Sequence, residues 1–137
     1  MNIFYLDENL SECAKAHMDR HIVKMPIETC QLLSNAYWLT NDVGLYRLTH
    51  KGHPCTKWVM ESLENFEWLA ELGLELCKEY AYRYGRTHAC EVKIDRMGTN
   101  PPVLPRIPMT PHALCMPAVY KSDCPITSYR NYYRGEK

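Results

Sequence analysis

The sequence predicts a mainly α-helical fold, a compact single domain of two or three long helices followed by a proline-rich extended strap. Two segments, at about 12–39 and 54–84, repeat apolar residues at helical spacing. A third segment, from Thr99 onward, carries seven of the nine prolines. A chain of 137 residues can bury one core, so we expect residues 1–137 to form one domain, with its helical body at about 12–85 and its strap and tail at about 99–137.

The first long helix is predicted over about 12–39, after a short extended segment at 2–6 and candidate N-cap residues at 7–11. Pro26 lacks a backbone N–H, so it is expected to kink this helix or divide it in two.

A narrow polar stripe runs along one face of this helix, whose flanks are apolar over roughly two-thirds of the circumference. A thin polar line on a mostly buried helix indicates the wall of a site, because burial of unpaired polar groups is costly. The alternative to a site is that His17 and His21 are core histidines and that Lys24 and Glu28 only form an ion pair. The stripe consists of His17, His21, Lys24, Glu28, Gln31 and Asn35. The flanks consist of Met18, Ile22, Val23, Met25, Ile27, Cys30, Leu32, Leu33 and Ala36.

The second long helix is predicted to begin at Pro54 and to end at Gly85. On this helix, Trp58, Ser62 and Asn65 form a stripe of apolar and polar side chains that could face the polar stripe of the first helix. Packing of the tryptophan in the core explains the pattern as well.

Two histidines precede this second helix. His50 and His53 stand with Lys51 where a helix N-terminus favours anions, so they are candidate phosphate ligands, with exposed histidines at a capped helix start as the alternative. A zinc site is disfavoured by the neighbouring Lys24 and by the lack of a metal-binding motif, so no metal is expected.

The last residues of the chain mix aromatic and basic side chains. Tyr129, Arg130, Tyr132 and Tyr133 could stack on bases and bind phosphates, or could belong to an ordinary packed terminus.

Composition narrows the class of protein. The 16 basic and 16 acidic residues give no net charge, so the overall balance does not indicate a polyanionic partner. No apolar run approaches the roughly 20 residues of a membrane span, and no secretory signal is expected. The seven cysteines, an odd number spread through helical segments, indicate reduced thiols in a cytoplasmic protein.

Three short motifs lie at the spacing of one known family. Ser11-Glu12, Ala14 and His17 precede Pro26. Gly52-His53 precedes a long helix with Phe66 and Leu69, and the tail reads Tyr129-Arg130-Asn131-Tyr132-Tyr133-Arg134-Gly135. Together with the chain length, these motifs resemble the phage pyrimidine-dimer DNA glycosylase/AP lyase family, of the endonuclease V type. The similarity spans most of the chain.

The resemblance implies a helical domain that flips a nucleotide out of DNA and attacks the sugar C1′ with an amine. An imine forms, and a glutamate on a helix assists glycosyl cleavage and strand scission. The family's amine is the α-amino group of a small second residue, whereas Asn2 stands here and Met1 is expected to be retained. The family's glutamate position falls on Lys24, and Glu28 follows one turn later.

The leading hypothesis is a phage-type DNA-acting enzyme, in the host cytoplasm, that recognises a damaged or modified pyrimidine without a cofactor. Lys24 is expected to be its nucleophile or electrostatic catalyst, while Glu28 and His21 exchange protons. The expected substrate-binding residues are His17, Gln31, Asn35, His50, His53, Trp58, Asn65, Tyr129, Arg130, Tyr132 and Tyr133.

Two alternatives use the same pocket. A binding protein could sequester a small nucleotide or signal molecule without chemistry, which suits the neutral charge better. A base-modifying enzyme would act on DNA and leave its backbone intact.

Overall fold

The computed structural model describes residues 1–136, and within them helices dominate and no strand occurs, so the predicted mainly α-helical fold is confirmed. No helix in this described part has both the length and the hydrophobicity that a bilayer crossing requires. The described helices are α1 (Leu10–Lys15), α2 (Asp19–Trp38), α3 (Pro54–Glu61), α4 (Leu63–Tyr84), α5 (Glu91–Thr99) and α6 (Pro125–Glu136), with a 3₁₀ turn at Ala118–Tyr120 before α6.

α4 lies at the centre of the fold, because α1, α2, α3 and α5 all pack against it. Gly73 allows two of these helices to approach closely. A Cβ atom at Gly73 would lie 2.8 Å from Thr29 Cγ2 of α2 and 3.1 Å from Ile94 Cδ1 of α5. The largest fully buried side chains include Trp58, Tyr129, Phe66, Ile22, Leu32 and Leu33. Each contributes on the order of 1.5–3 kcal/mol through burial of apolar surface.

The segment predicted to be helical over 12–39 forms two helices, but the predicted place of the division, Pro26, is wrong. α1 ends at Lys15 and α2 begins at Asp19, with Met18 extended between them (φ −69°, ψ 160°). The N–H of Met18 donates to the hydroxyl of Tyr133 at 3.0 Å, a contact across 115 residues that local periodicity cannot show. α2 also continues through Pro26, so the stripe keeps its helical phase there.

The predicted second helix divides at Ser62, whose backbone is extended (φ −154°, ψ 154°). The Ser62 hydroxyl accepts the N–H of Asn65 and thereby caps α4, while the N–H of Leu63 donates to Pro105 at 2.8 Å. The predicted end at Gly85 is confirmed, and its left-handed φ of 68° explains the glycine.

The C-terminal region differs from the prediction as well. Prolines after Thr99 predicted no long regular helix, yet α6 spans 12 residues. Pro125 occupies its first position, where the missing N–H costs nothing, and no proline follows it. The strap is therefore shorter, and residues 100–117 form it without regular structure. α5 was not predicted.

Candidate functional site

A cavity of about 140 Å³ lies between the N-terminal segment, α2 and α6. The three residues predicted to be catalytic, His21, Lys24 and Glu28, all line it. They meet there because they occupy one face of an uninterrupted helix. The remaining lining residues are Met1, Asn2, Phe4, Met25 and Tyr132.

The carboxylate of Glu28 lines this cavity and has partners at both of its oxygens. Glu28 is only 8% exposed, and a different amine lies near each of its oxygens. The amine of Met1 is 3.8 Å from Oε1, and Lys24 Nζ is 3.8 Å from Oε2. The backbone N–H of Asn2 also donates to Oε1 at 3.0 Å. A buried carboxylate needs such partners, and here they include two amines, which become nucleophilic when they lose a proton.

The side chain of Asn2 fixes the start of the chain against this carboxylate. Its Nδ2 donates to the carbonyl of Cys115 at 2.9 Å, and its Oδ1 lies 3.1 Å from the Tyr129 hydroxyl. The buried side chains of Ile3 and Phe4 hold the next residues of the segment in the core. The terminal amine is therefore placed by the core of the protein.

His21 and His17 have different environments although they are adjacent in the predicted stripe. His21 stacks on Phe4, with ring centroids 4.7 Å apart, and its Nδ1 lies 2.6 Å from the Tyr133 hydroxyl. His17 precedes α2 and donates from Nδ1 to the carbonyl of Cys13 at 2.7 Å. Burial lowers the pKa of His17 to about 4. His17 therefore supports the wall behind the cavity and does not line it.

The second half of the stripe turns away from the cavity. Gln31 borders a separate cavity of about 390 Å³ with residues 46–49. Asn35 is fully buried, and its side chain bonds the carbonyl of Thr49 and the hydroxyl of Thr56. These contacts hold the loop that connects α2 to α3.

Trp58 and Asn65 are also buried side chains with internal partners. Trp58 Nε1 donates to the carbonyl of Thr110 at 3.1 Å, and Asn65 Nδ2 donates to the Trp58 carbonyl and the Thr110 hydroxyl. They join α3 and α4 to the strap, and substrate binding by Trp58, Asn65 and Asn35 stays a prediction.

The predicted phosphate-binding histidines lie at the start of α3. His53 Nδ1 accepts the N–H of Cys55 and caps the helix. Burial and the positive charge of the nearby terminal amine lower the pKa of His53. His50 is exposed, with Nδ1 2.8 Å from the Thr49 hydroxyl. Phosphate binding by this pair stays a prediction.

Within residues 1–136, three side chains could together hold a metal ion. Ligand atoms of His53, Cys55 and Cys115 all lie within 4.8 Å of one another, and the two sulfur atoms are 3.5 Å apart. The helix cap already uses the lone pair of His53 Nδ1, so metal binding there would compete with the cap. The absence of a required metal stays a prediction.

The predicted DNA-binding side chains of the tail lie on α6, which packs on the start of the chain. Tyr132 lines the cavity. Arg130 donates to the Leu6 carbonyl at 2.8 Å and pairs with Asp7 at 3.1 Å. Tyr129 is fully buried against Asn2, and Tyr133 bonds His21. The side chains of α6 therefore line the cavity or support the residues around it, and their contact with a DNA strand stays a prediction.

The predicted site did not include Met1, Asn2, Phe4 or Met25. The apolar residues Ile3, Phe4 and Leu6 indicate a buried segment, but nothing in the sequence shows which helix it covers.

Fold and site together define a helical protein with an amine–carboxylate site. A family model described as pyrimidine dimer DNA glycosylase matches residues 1–92, which include the cavity residues of the N-terminal segment and α2. The chain belongs to this family. No curated protein and no solved structure shows significant similarity to it.

Proposed function

We propose that the Glu28 cavity is the active site of a DNA glycosylase that acts on a damaged or modified pyrimidine, and that an amine of this site attacks C1′ of the deoxyribose. The observation that carries the proposal is the position of two amines, each 3.8 Å from one oxygen of a buried carboxylate. An amine must lose a proton to become nucleophilic, and a carboxylate beside it can take that proton when the two groups meet at hydrogen-bond distance or through one water.

The α-amine is the attacking group in a chain that starts at Met1. It lies inside the cavity, whereas the Lys24 side chain is 70% exposed. Terminal α-amines are ordinarily weaker bases than lysine amines by about 2–3 pKa units, so more of them are neutral near pH 7. If Met1 is removed, the new α-amine is the nitrogen of Asn2, which lies 3.0 Å from Oε1. With either α-amine as the attacking group, Lys24 acts as the electrostatic catalyst.

The chemistry balances with the groups present. The amine nitrogen forms a bond to C1′ while the bond from C1′ to the base breaks, and the base leaves with the bonding electrons. Glu28 accepts the proton that the amine loses, and the His21 ring donates a hydrogen bond to the leaving base, which takes its proton from water. Glu28 returns this proton to the ring oxygen O4′, and the C1′–O4′ bond breaks to give an open-chain protonated imine and an ionised Glu28 carboxylate. Transfer of a C2′ proton to Glu28 breaks the C3′–O bond and cleaves the strand.

Borohydride trapping tests this proposal on duplexes that contain an abasic site or a cyclobutane pyrimidine dimer. We expect an adduct that peptide mass mapping places on the first residues of the chain. Glu28→Gln should slow trapping about 100-fold or more, because the proton acceptor is lost. Lys24→Ala should slow trapping and keep the same attachment site.

Lys78→Ala is the matched control, since the Lys78 side chain is also 70% exposed and pairs with Glu75 far from the cavity. It should trap like the unmodified protein. If no adduct forms on either duplex, the amine chemistry is wrong. An adduct that maps to Lys24 would transfer the nucleophilic role to that residue.

A second candidate function is supported by the zero net charge, which gives no general attraction to duplex DNA. In this case the cavity binds a small nucleotide and releases it unchanged. Calorimetry with mononucleotides, cyclic nucleotides and duplex DNA separates the candidates. Tight binding of an unchanged nucleotide, without salt-sensitive DNA binding, would favour sequestration.

A further inference from the structure

A hydrogen bond between Tyr133 and His21 connects α6 to the cavity. We infer that Tyr133 is a positioning residue that holds His21 in the tautomer with its proton on Nε2. The catalytic consequence of this inference rests on the proposed function, whereas the tautomer itself can be tested without any substrate.

The direction of the hydrogen bond follows from the partners of one oxygen. The Tyr133 hydroxyl has a single proton. The N–H of Met18 donates to this oxygen at 3.0 Å and can only be a donor. His21 Nδ1 lies 2.6 Å from the same oxygen and is the acceptor that remains for the phenolic proton. The opposite direction would leave that proton without an acceptor in the part of the chain that the structure describes. Buried polar groups are rarely left in that state.

The surroundings of both rings support the same arrangement. Burial raises the pKa of Tyr133 to about 12, so the phenol keeps its proton at neutral pH and remains a donor. Phe4 stacks on the imidazole with an angle of 18° between the rings, and His21 is only 7% exposed. The stack hinders a ring flip that would exchange the two nitrogens.

This tautomer suits the role proposed for His21. When Nδ1 accepts a hydrogen bond, a neutral imidazole carries its proton on Nε2. His21 lines the cavity with Lys24 and Glu28, so its Nε2–H can donate a hydrogen bond to a leaving base and stabilise the negative charge that develops there. The positioning group comes from α6 and lies outside residues 1–92, the part that the family model matches.

Nitrogen NMR of ring-labelled histidine tests the tautomer directly. Spectra should be recorded near pH 8.5, where an ordinary imidazole is neutral. We expect His21 to show a protonated Nε2 and an unprotonated Nδ1. In Tyr133→Phe the signals should move toward a mixture of tautomers. Tyr82→Phe removes the same hydroxyl from a side chain that is 85% exposed, and it should leave the His21 signals unchanged.

Trapping kinetics on the abasic duplex test the consequence. Tyr133→Phe should lower the maximal trapping rate by about tenfold, with half-saturation within about twofold of the unmodified protein. A protonated Nδ1 in the unmodified protein would overturn the inference even if the variant fails to fold. Unchanged His21 signals in a folded variant would overturn it as well. If the signals shift as expected and neither protein forms an adduct, the proposed function fails while the tautomer assignment stands.

Discussion

The side-chain oxygen of Asn2 lies 3.1 Å from the hydroxyl of Tyr129, although 127 residues separate them in sequence. The same hydroxyl lies 2.6 Å from the carbonyl of Ala113 and accepts the N–H of Cys115 at 3.3 Å. The start of the chain, the strap and α6 therefore meet at one oxygen atom. The backbone N–H of Asn2 also donates to Glu28. The contact between Asn2 and Tyr129 therefore connects the core to the terminal amine of the site.

Tyr129→Phe tests this connection. The change removes the partner of two partly buried groups, the N–H of Cys115 and the carbonyl of Ala113, so the free energy of unfolding should fall by about 1–3 kcal/mol. Urea denaturation measures the loss. Tyr82→Phe on the exposed surface should change stability by less than about 0.5 kcal/mol. Equal stability of the two variants would show that the Tyr129 hydroxyl does not stabilise the fold.

Arg83 should be a major stabilising residue of the junction between α1 and α2. Its guanidinium donates to the carbonyls of Lys15 and His17, at 3.1 and 2.9 Å, and to the carboxylate of Glu79 at 2.9 Å. It thereby satisfies carbonyls that the end of α1 leaves open. Arg83→Ala should lower the free energy of unfolding by about 2–3 kcal/mol.

Thermal and urea unfolding measure the effect of Arg83. Arg83→Lys should recover less than half of the lost stability, because one ammonium group cannot reproduce the several hydrogen bonds that the planar guanidinium donates. Arg86→Ala, at an exposed position after α4, is the control and should change stability by less than about 0.5 kcal/mol. A neutral Arg83→Ala variant would contradict the assigned role.

His112 should make the protein sensitive to acid. It stacks between Tyr5 and Trp58, at centroid distances of 3.9 and 4.5 Å, and its Nε2 is buried without a hydrogen-bond partner. Burial lowers the pKa of His112 from 6.5 to about 4. The unfolded chain therefore binds this proton first, and the stability that the neutral ring contributes is complete above pH 6.5 and is lost as the pH falls toward 4.

His112→Phe removes the ring that binds this proton, so the stability of the variant should decline less steeply between pH 6.5 and 4. The slopes of the variant and the unmodified protein should differ by at most about 1.4 kcal/mol per pH unit. Urea denaturation at pH 7.5 and pH 5 measures the difference. His17 has a lowered pKa of about 4 too, so some decline should remain. His50→Asn at an exposed position, whose left-handed φ of 52° asparagine tolerates, should show the same slope as the unmodified protein. Identical slopes for His112→Phe and the unmodified protein would contradict the prediction.

Gly73 should resist substitution because α2 and α5 pack against its Cα. In Gly73→Ala the new Cβ would lie 2.8 Å from Thr29 Cγ2, and the resulting strain of about 1–3 kcal/mol should exceed the gain of about 1 kcal/mol in helix propensity. Thr29→Ser removes Cγ2, so the double variant should be more stable than the sum of the two single changes. Strict additivity in urea denaturation would show that this contact does not limit the substitution.

The part of the site that lies on α2 could be predicted because helical spacing alone brings His21, Lys24 and Glu28 to one face. The terminal amine and the anchoring tyrosines could not, since their partners are 26 to 127 residues away. The same reason explains the two helix breaks. Met18 and Ser62 end regular patterns at hydrogen bonds and backbone conformations that the surrounding fold imposes.

The position of α6 has a consequence for the order of events during synthesis. α6 contributes Tyr132 to a cavity whose other lining residues all lie within the first 28 residues. A nascent chain therefore cannot complete the cavity until α6 has left the ribosome. Contacts of such long sequence separation form late, because loop closure must precede them. The wall that Tyr132 adds beside the terminal amine and Glu28 thus forms only after α6 has folded onto the start of the chain.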